Sequence, residues 1–232
     1  KYPILLAGDG NKGAELAQNN LPDIIVSDVM MPGISGVELC DTLKNDERTA
    51  HIPIILLTAK SDVDDKIFGY SQGADDYIEK PFSIKLLKAR ISNILSSRAA
   101  LREQFSKEPL KPFNELGYNQ IDNAFIERCV ELIMSNLNFK YSHEQLGTDV
   151  GMSKSNLHRK LKSITGLSPG EFILRVKMEE AARILLHKAH SISQIAYQLE
   201  YTSPSNFSRD FKKVFGKSPK YFLSENGMSS QP

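Results

Sequence analysis

Ser155-Asn156-Leu157-x-Arg159-x-Leu161-Lys162, then Gly166-x-Ser168-Pro169-x-x-Phe172, returns as Ser205-Asn206-Phe207-x-Arg209-x-Phe211-Lys212, then Gly216-x-Ser218-Pro219-x-x-Phe222. Upstream of each block stands a matching Ser-x-x-Gln, Ser142 to Gln145 with Leu146 and Ser191 to Gln194 with Ile195. The offset is 49 residues for the upstream pieces and 50 afterwards, so the second copy carries one inserted residue between Glu200 and Ser203, where a turn belongs. Each copy has the pattern of a short capped helix, a turn, a longer basic helix and a Ser-Pro start to the next helix. That order defines a helix-turn-helix, and its repetition predicts two recognition helices on one chain.

The chain has 232 residues, enough for two domains. Its formal net charge of +1 conceals two unlike halves: residues 1–120 carry 14 Lys+Arg against 17 Asp+Glu, and residues 121–232 carry 15 against 11. A basic excess suits a nucleic-acid face, though many soluble domains carry as much. Cys40 and Cys129 fall in different halves without metal-ligand spacing, which predicts reduced, buried thiols and a cytoplasmic setting. The five histidines, His51, His143, His158, His187 and His190, lack zinc spacing too. No apolar run approaches the roughly 20 residues that span a membrane, and no signal peptide is recognisable. A first residue of Lys rather than Met reads as a piece of a longer protein.

In the acidic half, Asp23 to Asp28 and Ile52 to Thr58 are near-continuous apolar runs, and Asp76 to Lys80 is a shorter one. Such runs predict parallel strands covered on both faces. Between and after them the spacing predicts helices over 37–44 and 63–71, and a longer one from Ser83 to about Arg98 with Ile84, Leu87, Ile91, Ile94 and Leu95 inward. Alternating strands and helices imply an open parallel α/β sheet, whose ligand chemistry gathers at the carboxyl ends of the strands. Those ends are Asp28, Thr58 and Lys80. A carboxylate that attacks phosphorus, a hydroxyl that donates to a phosphoryl oxygen and an ammonium that neutralises the transferred charge are equipment for phosphoryl transfer.

Val26-Ser27-Asp28-Val29-Met30-Met31-Pro32-Gly33 with Gly36, Leu56-Leu57-Thr58-Ala59, and Gly73-Ala74-Asp75-Asp76-Tyr77-Ile78-Glu79-Lys80-Pro81-Phe82 together resemble the receiver domain of two-component response regulators. The separations of 30 residues from Asp28 to Thr58 and 52 to Lys80 match that family as well. The resemblance implies that Asp28 takes a phosphoryl group from a kinase phosphohistidine, that Thr58 and Lys80 contact it, that Tyr77 reorients on activation, and that Lys80-Pro81 is cis. It also implies a flavodoxin-like sheet and Mg²⁺ held by Asp28, the Met30 carbonyl and an acidic pair ending the first strand. Asp9 lies only 19 residues before Asp28, too close for that first strand. Tyr2 to Gly10, with the helix-like stretch after it, instead resembles the family's second strand and helix. The receiver then lacks its first strand and acidic pair, which exposes strand edges and leaves Mg²⁺, a cofactor of the intact domain, unbound here. Asp62, Asp64 and Asp65 read as helix-capping residues, and Asp75 and Asp76 as turn residues.

Pro109, Pro112 and Gly117 interrupt regular structure, so the expected layout is a receiver over 1–98, a linker over 99–120, an all-α domain over 121–226 and a tail over 227–232. Ala99 to Phe105 could lengthen the preceding helix, and Asp122 reads as the cap of the next. Residues 120–225 resemble the AraC family of bacterial activators, with seven helices and two helix-turn-helix units around a central helix from Ser168 to about His187. Spacing by four puts Leu157 with Leu161 and Phe207 with Phe211 in the core. Ser155, His158 and Arg159 in the first unit, and Ser205, Ser208 and Arg209 in the second, are then the base-facing candidates, with bracing of helix packing or a grip on phosphate the alternative for Arg159 and Arg209. Lys160, Lys162, Lys212 and Lys213 suit phosphate, because a flexible point charge confers affinity more readily than sequence choice.

A receiver followed by an AraC-type domain resembles the output end of the hybrid sensor kinases of Bacteroides-like bacteria, in which a periplasmic sensor, a membrane helix and a histidine kinase precede it. The implied partners are double-stranded DNA, a histidine-kinase phosphodonor and a second copy of the chain, and the fragment itself is no enzyme beyond accepting a phosphoryl group. Two alternatives stay open. A pseudo-receiver would serve only to dimerise, and a phosphatase of the haloacid dehalogenase type would need a second Asp where Met30 stands.

Overall fold

The computed structural model describes residues 3–59, 73–107, 119–137, 141–187 and 191–227. The chain divides into two compact units, Lys1–Glu103 with Gly117–Asn123, and Gln104–Leu116 with Ala124–Pro232. The expected helix over 63–71, with Asp62, Asp64 and Asp65, and the interruptions at Pro109, Pro112 and Gly117 lie outside the described residues, as does His190.

In the first unit, α1 (Gly10–Asn20) begins where the Asp9 carboxylate accepts the Lys12 amide at 2.8 Å. It leads to β1 (Ile25–Asp28), α2 (Gly36–Asn45), β2 (Ile54–Ala59), β3 (Asp76–Lys80) and α3 (Ile84–Lys107). The three strands pair in parallel in the order β1-β2-β3, with Asp28 beside Leu57 and Ala59 beside Lys80. Ala17, Leu39, Cys40, Leu43, Ile54 and Leu56 form the buried core of this unit. A Ser35–Glu38 capping box starts α2, and the lack of a Cβ at Gly36 lets that helix meet the end of β1: an added Cβ would lie 2.1 Å from the Asp28 carbonyl.

The strand expected over Tyr2 to Gly10 does not form among the described residues 3–8. Ile4 and Leu6 are 75% and 86% exposed. In the 2-1-3-4-5 order a second strand pairs only with the first, so without that neighbour its backbone has no ladder to join. The same gap explains a second departure. Ile84, expected inward, is 69% exposed, and Leu87, Ile91, Ile94 and Leu95 are only half-buried. A three-strand sheet is too narrow to cover the whole apolar side of α3. That helix does run on through Ala99 to Phe105, and Phe105 is buried.

α4 (Gln120–Ser135) begins in the first unit and continues into the second, which also holds α5 (His143–Asp149), α6 (Lys154–Thr165), α7 (Pro169–Leu186), α8 (Ile192–Gln198), α9 (Pro204–Phe215) and α10 (Pro219–Gly227). Both Ser-Gln pairs, and Ser168 with Glu171, form complete capping boxes. α7 is the expected central helix, capped by Ser168 and His187. Asp122 is not a cap: it lies buried inside the first turn of α4, and the Asn119 side chain accepts its amide at 2.9 Å.

The two turns show where the extra residue sits. Gly151 and Glu200 both take positive φ, 70° and 64°, and the following amides, Met152 and Tyr201, bond back to Gly147 and Ala196 at 2.8 and 2.9 Å. The copies therefore stay in step through Tyr201, and the helix caps that follow are Ser153 and Ser203. Thr202 is the insertion. It changes the approach to the recognition helix, since the cap φ is −63° at Ser153 and −154° at Ser203. Leu157, Leu161, Phe207 and Phe211 are all buried, as the spacing by four requires.

Candidate phosphoacceptor site and nucleic-acid interface

Register alone brings the carboxyl ends of β1, β2 and β3 to one edge. Lys80 Nζ donates to Asp28 Oδ2, so side chains 52 residues apart meet. Asp28 Oδ1 accepts the Met30 amide at 3.2 Å. Thr58 is buried, and its hydroxyl donates to the Ala59 carbonyl at 3.2 Å rather than toward Asp28. Lys80-Pro81 is cis. Tyr77, one position behind Ile78 on β3, is half-buried against the core. The Cys40 thiol is pushed up to about 11 by burial, as suits an inert core cysteine.

Sequence reasoning missed the role of Asp75. Its Oδ2 accepts Lys44 Nζ at 2.8 Å and the Ile54 amide at 2.9 Å, while Oδ1 accepts Arg98 at 2.8 Å. It thus ties α2, the start of β2 and α3 together, a job that a glance at a Gly-Ala-Asp-Asp turn does not reveal.

Receiver domains generally bind Mg²⁺, and among the described residues the candidate oxygen donors are already engaged. Mg²⁺ requires near-octahedral oxygen ligation. Asp28 has one oxygen on Lys80 and the other on the Met30 amide, and Asp9 is spent as the cap of α1. Among the described residues no three His, Cys, Asp or Glu side chains cluster as metal ligands.

On the second unit, Ser155, His158 and Lys162 are exposed on α6 and Arg159 is half-buried, its guanidinium 3.5 Å from Asn156 Oδ1. On α9, Ser205, Lys212 and Lys213 are exposed, Ser208 is half-buried and the Arg209 side chain is 73% exposed. Six of these nine residues form identical pairs at the 50-residue offset, Ser155 with Ser205, Arg159 with Arg209 and Lys162 with Lys212. Lys160 departs from expectation. It is fully buried with Nζ 4.7 Å from the Phe125 ring centre, and cannot reach phosphate. Its place three residues after Leu157 turns it to the core side, where an aromatic face receives the ammonium. Burial, then Asp210, pushes the Tyr201 hydroxyl above the usual tyrosine range. Around Glu144, which is exposed, the Lys154 ammonium leads in holding the carboxyl down at about 2.

A parallel sheet with an Asp-Lys pair at its carboxyl edge, followed by two helix-turn-helix units, defines a receiver joined to a DNA-reader fold. Residues 1–92 match the response regulator receiver domain family, and residues 146–225 match a helix-turn-helix domain family of AraC type. Histidine kinase P4 of Formosa agariphila is 37% identical over 231 residues, covering 99% of this chain and 17% of that protein. Response regulator ArlR of Staphylococcus saprophyticus subsp. saprophyticus is 37% identical over 164 residues, 64% of this chain and 69% of that protein. The phosphate regulon transcriptional regulatory protein PhoB of Pseudomonas aeruginosa is 48% identical over 94 residues, 40% of this chain and 41% of that protein. The chain belongs to the response regulators of two-component systems. It spans about a sixth of the length of the Formosa kinase, and among its described residues no helix is long and apolar enough to cross a membrane.

Proposed function

We propose that this chain is the cytoplasmic output end of a phosphorelay, with a receiver over 1–98 governing a DNA-binding domain over 121–226. In the transfer, an Asp28 oxygen bonds to phosphorus, the phosphorus–nitrogen bond of a kinase phosphohistidine breaks, and its electron pair returns to the imidazole. Lys80 must then shift from the carboxylate to the phosphoryl oxygens, and Thr58 must turn its hydroxyl toward them. The new group adds about 1.5 to 2 negative charges, and Tyr77 follows Thr58 to bias the receiver toward a dimer on paired DNA sites. The observation that carries the receiver half is the Lys80–Asp28 contact across three strand ends. The name and coverage of the Formosa relative support a hybrid kinase as the parent protein.

Because the metal donors fall short, we expect Mg²⁺ to bind residues 1–232 weakly and a small phosphodonor such as acetyl phosphate to label Asp28 to a small fraction. Intact-mass measurement after treatment with both checks this, and stoichiometric labelling would overturn the account of the metal site. In the whole protein, kinase-dependent label should reach the peptide containing Asp28 and vanish in Asp28→Asn. Were the label absent from the whole protein as well, the second reading, a pseudo-receiver used for dimerisation, would stand. The same donor shortage favours it.

Two recognition helices flanking α7 should enter successive major-groove segments on one DNA face, about one helical turn or roughly 34 Å apart, with bending where they sit closer. Hydroxyl-radical footprinting should show two protected segments per protomer. A single one would contradict simultaneous use of both units.

A further inference from the structure

The second helix-turn-helix unit contains a side-chain relay that the first cannot form. Tyr201, the last residue in step before the inserted Thr202, packs edge-on to Phe207 with ring centres 5.6 Å apart. Its hydroxyl donates to Asp210 Oδ2 at 3.0 Å, and Asp210 Oδ1 lies 3.5 Å from Arg209 Nε. The repeat-related positions in the first unit are Met152 and Lys160, a thioether and an ammonium. Neither can link the turn to the arginine through a hydrogen-bonded carboxylate.

We infer that Tyr201 and Asp210 are positioning residues that bias the Arg209 guanidinium toward contact with a guanine edge, a device that the first unit lacks. This rests on the DNA-binding reading above. Adjacent helix positions point away from each other, so an unheld Arg209, 73% exposed, would sample many rotamers. Asp210 attracts it through Nε. The terminal nitrogens are the ones that span O6 and N7 of guanine. Asp210 would itself swing with solvent were it not anchored by Tyr201, whose half-buried ring packs against the core. Asn206 points back to the inserted Thr202, its Nδ2 3.3 Å from the threonine hydroxyl, whereas its counterpart Asn156 faces Arg159. The insertion thus accompanies a change in what steers the arginine.

The test uses Tyr201→Phe in the full chain, which keeps the ring and removes the hydroxyl. The probes are a duplex enriched by the wild-type chain from a random-sequence pool and a scrambled duplex of equal length. A bidentate arginine–guanine contact discriminates by roughly 5- to 150-fold, and Tyr201→Phe should remove about 3- to 10-fold of that preference. Affinity for the scrambled duplex and the salt slope should stay unchanged. In an Arg209→Ala background the same substitution should change nothing further. A purely structural tyrosine would weaken both duplexes alike and act additively with Arg209→Ala, and either result overturns the relay, as does an unchanged preference in Tyr201→Phe. If the wild-type chain enriches no sequence at all, the DNA-binding reading falls and the relay with it.

Discussion

Phe211→Ala should destabilise the second unit by about 3 to 5 kcal/mol, the range for truncating a fully buried aromatic. Phe211 stacks on Phe215 with ring centres 4.5 Å apart and contacts Phe222 at 5.4 Å and Phe207 at 5.8 Å, so three rings from two helices lose their common neighbour. With Phe207 of α9 and Phe222 of α10 it shares one core with Met178, Leu185 and Ile195. Domains of this size have about 5 to 15 kcal/mol in total, and the change therefore removes a large part of it. Urea unfolding of the full chain, followed by far-ultraviolet circular dichroism, should show the helical transition moving to lower urea. Phe215→Ala, at a half-buried position, should cost less. A loss below about 1 kcal/mol for Phe211→Ala, the size of an average substitution, would contradict the packing described here.

Arg209→Ala and Lys212→Ala should separate sequence choice from affinity. Both residues are exposed on α9, three positions apart. Recognition helices read base edges from their N-terminal part, which gives Arg209 the base and Lys212, in the last turn, the phosphate. Loss of a base contact should reduce discrimination by about 1 to 3 kcal/mol and leave the scrambled duplex nearly unaffected. Loss of a phosphate contact should weaken every duplex alike and lower the salt slope by about 1. Binding isotherms on selected and scrambled duplexes across a salt series would decide it. Equal effects of both substitutions on both duplexes would show that the helix face has been assigned wrongly.

Whatever depends on local chemistry was legible in the residues. Capping boxes satisfy helix amides within four positions of the chain, so Ser142, Ser168 and Ser191 announced their helices directly. Hydrophobic spacing identified Leu157, Leu161, Phe207 and Phe211 as core for the same reason, and the repeat marked the turn that holds Thr202. The strand ends Asp28, Thr58 and Lys80 were visible as a chemical set, since parallel crossovers return each strand to the same edge.

Only tertiary structure could decide what depends on a neighbour far along the chain. Tyr2 to Gly10 has the residues of a strand, yet a strand exists through its hydrogen-bond partner, and Ile4 and Leu6 stand exposed where none is at hand. Lys160 has the sequence context of a phosphate ligand, but a helix buries whichever side its neighbours cover, and Phe125 from α4 lies over that side. Asp75 looked like a turn residue until Lys44, Ile54 and Arg98 converged on it from three elements. The Tyr201–Asp210–Arg209 relay likewise needs the turn folded back on α9 before its nine-residue separation becomes a 3.0 Å hydrogen bond. Short-range patterns are set by covalent spacing, whereas burial and long-range pairing are set by which surfaces the whole chain brings together.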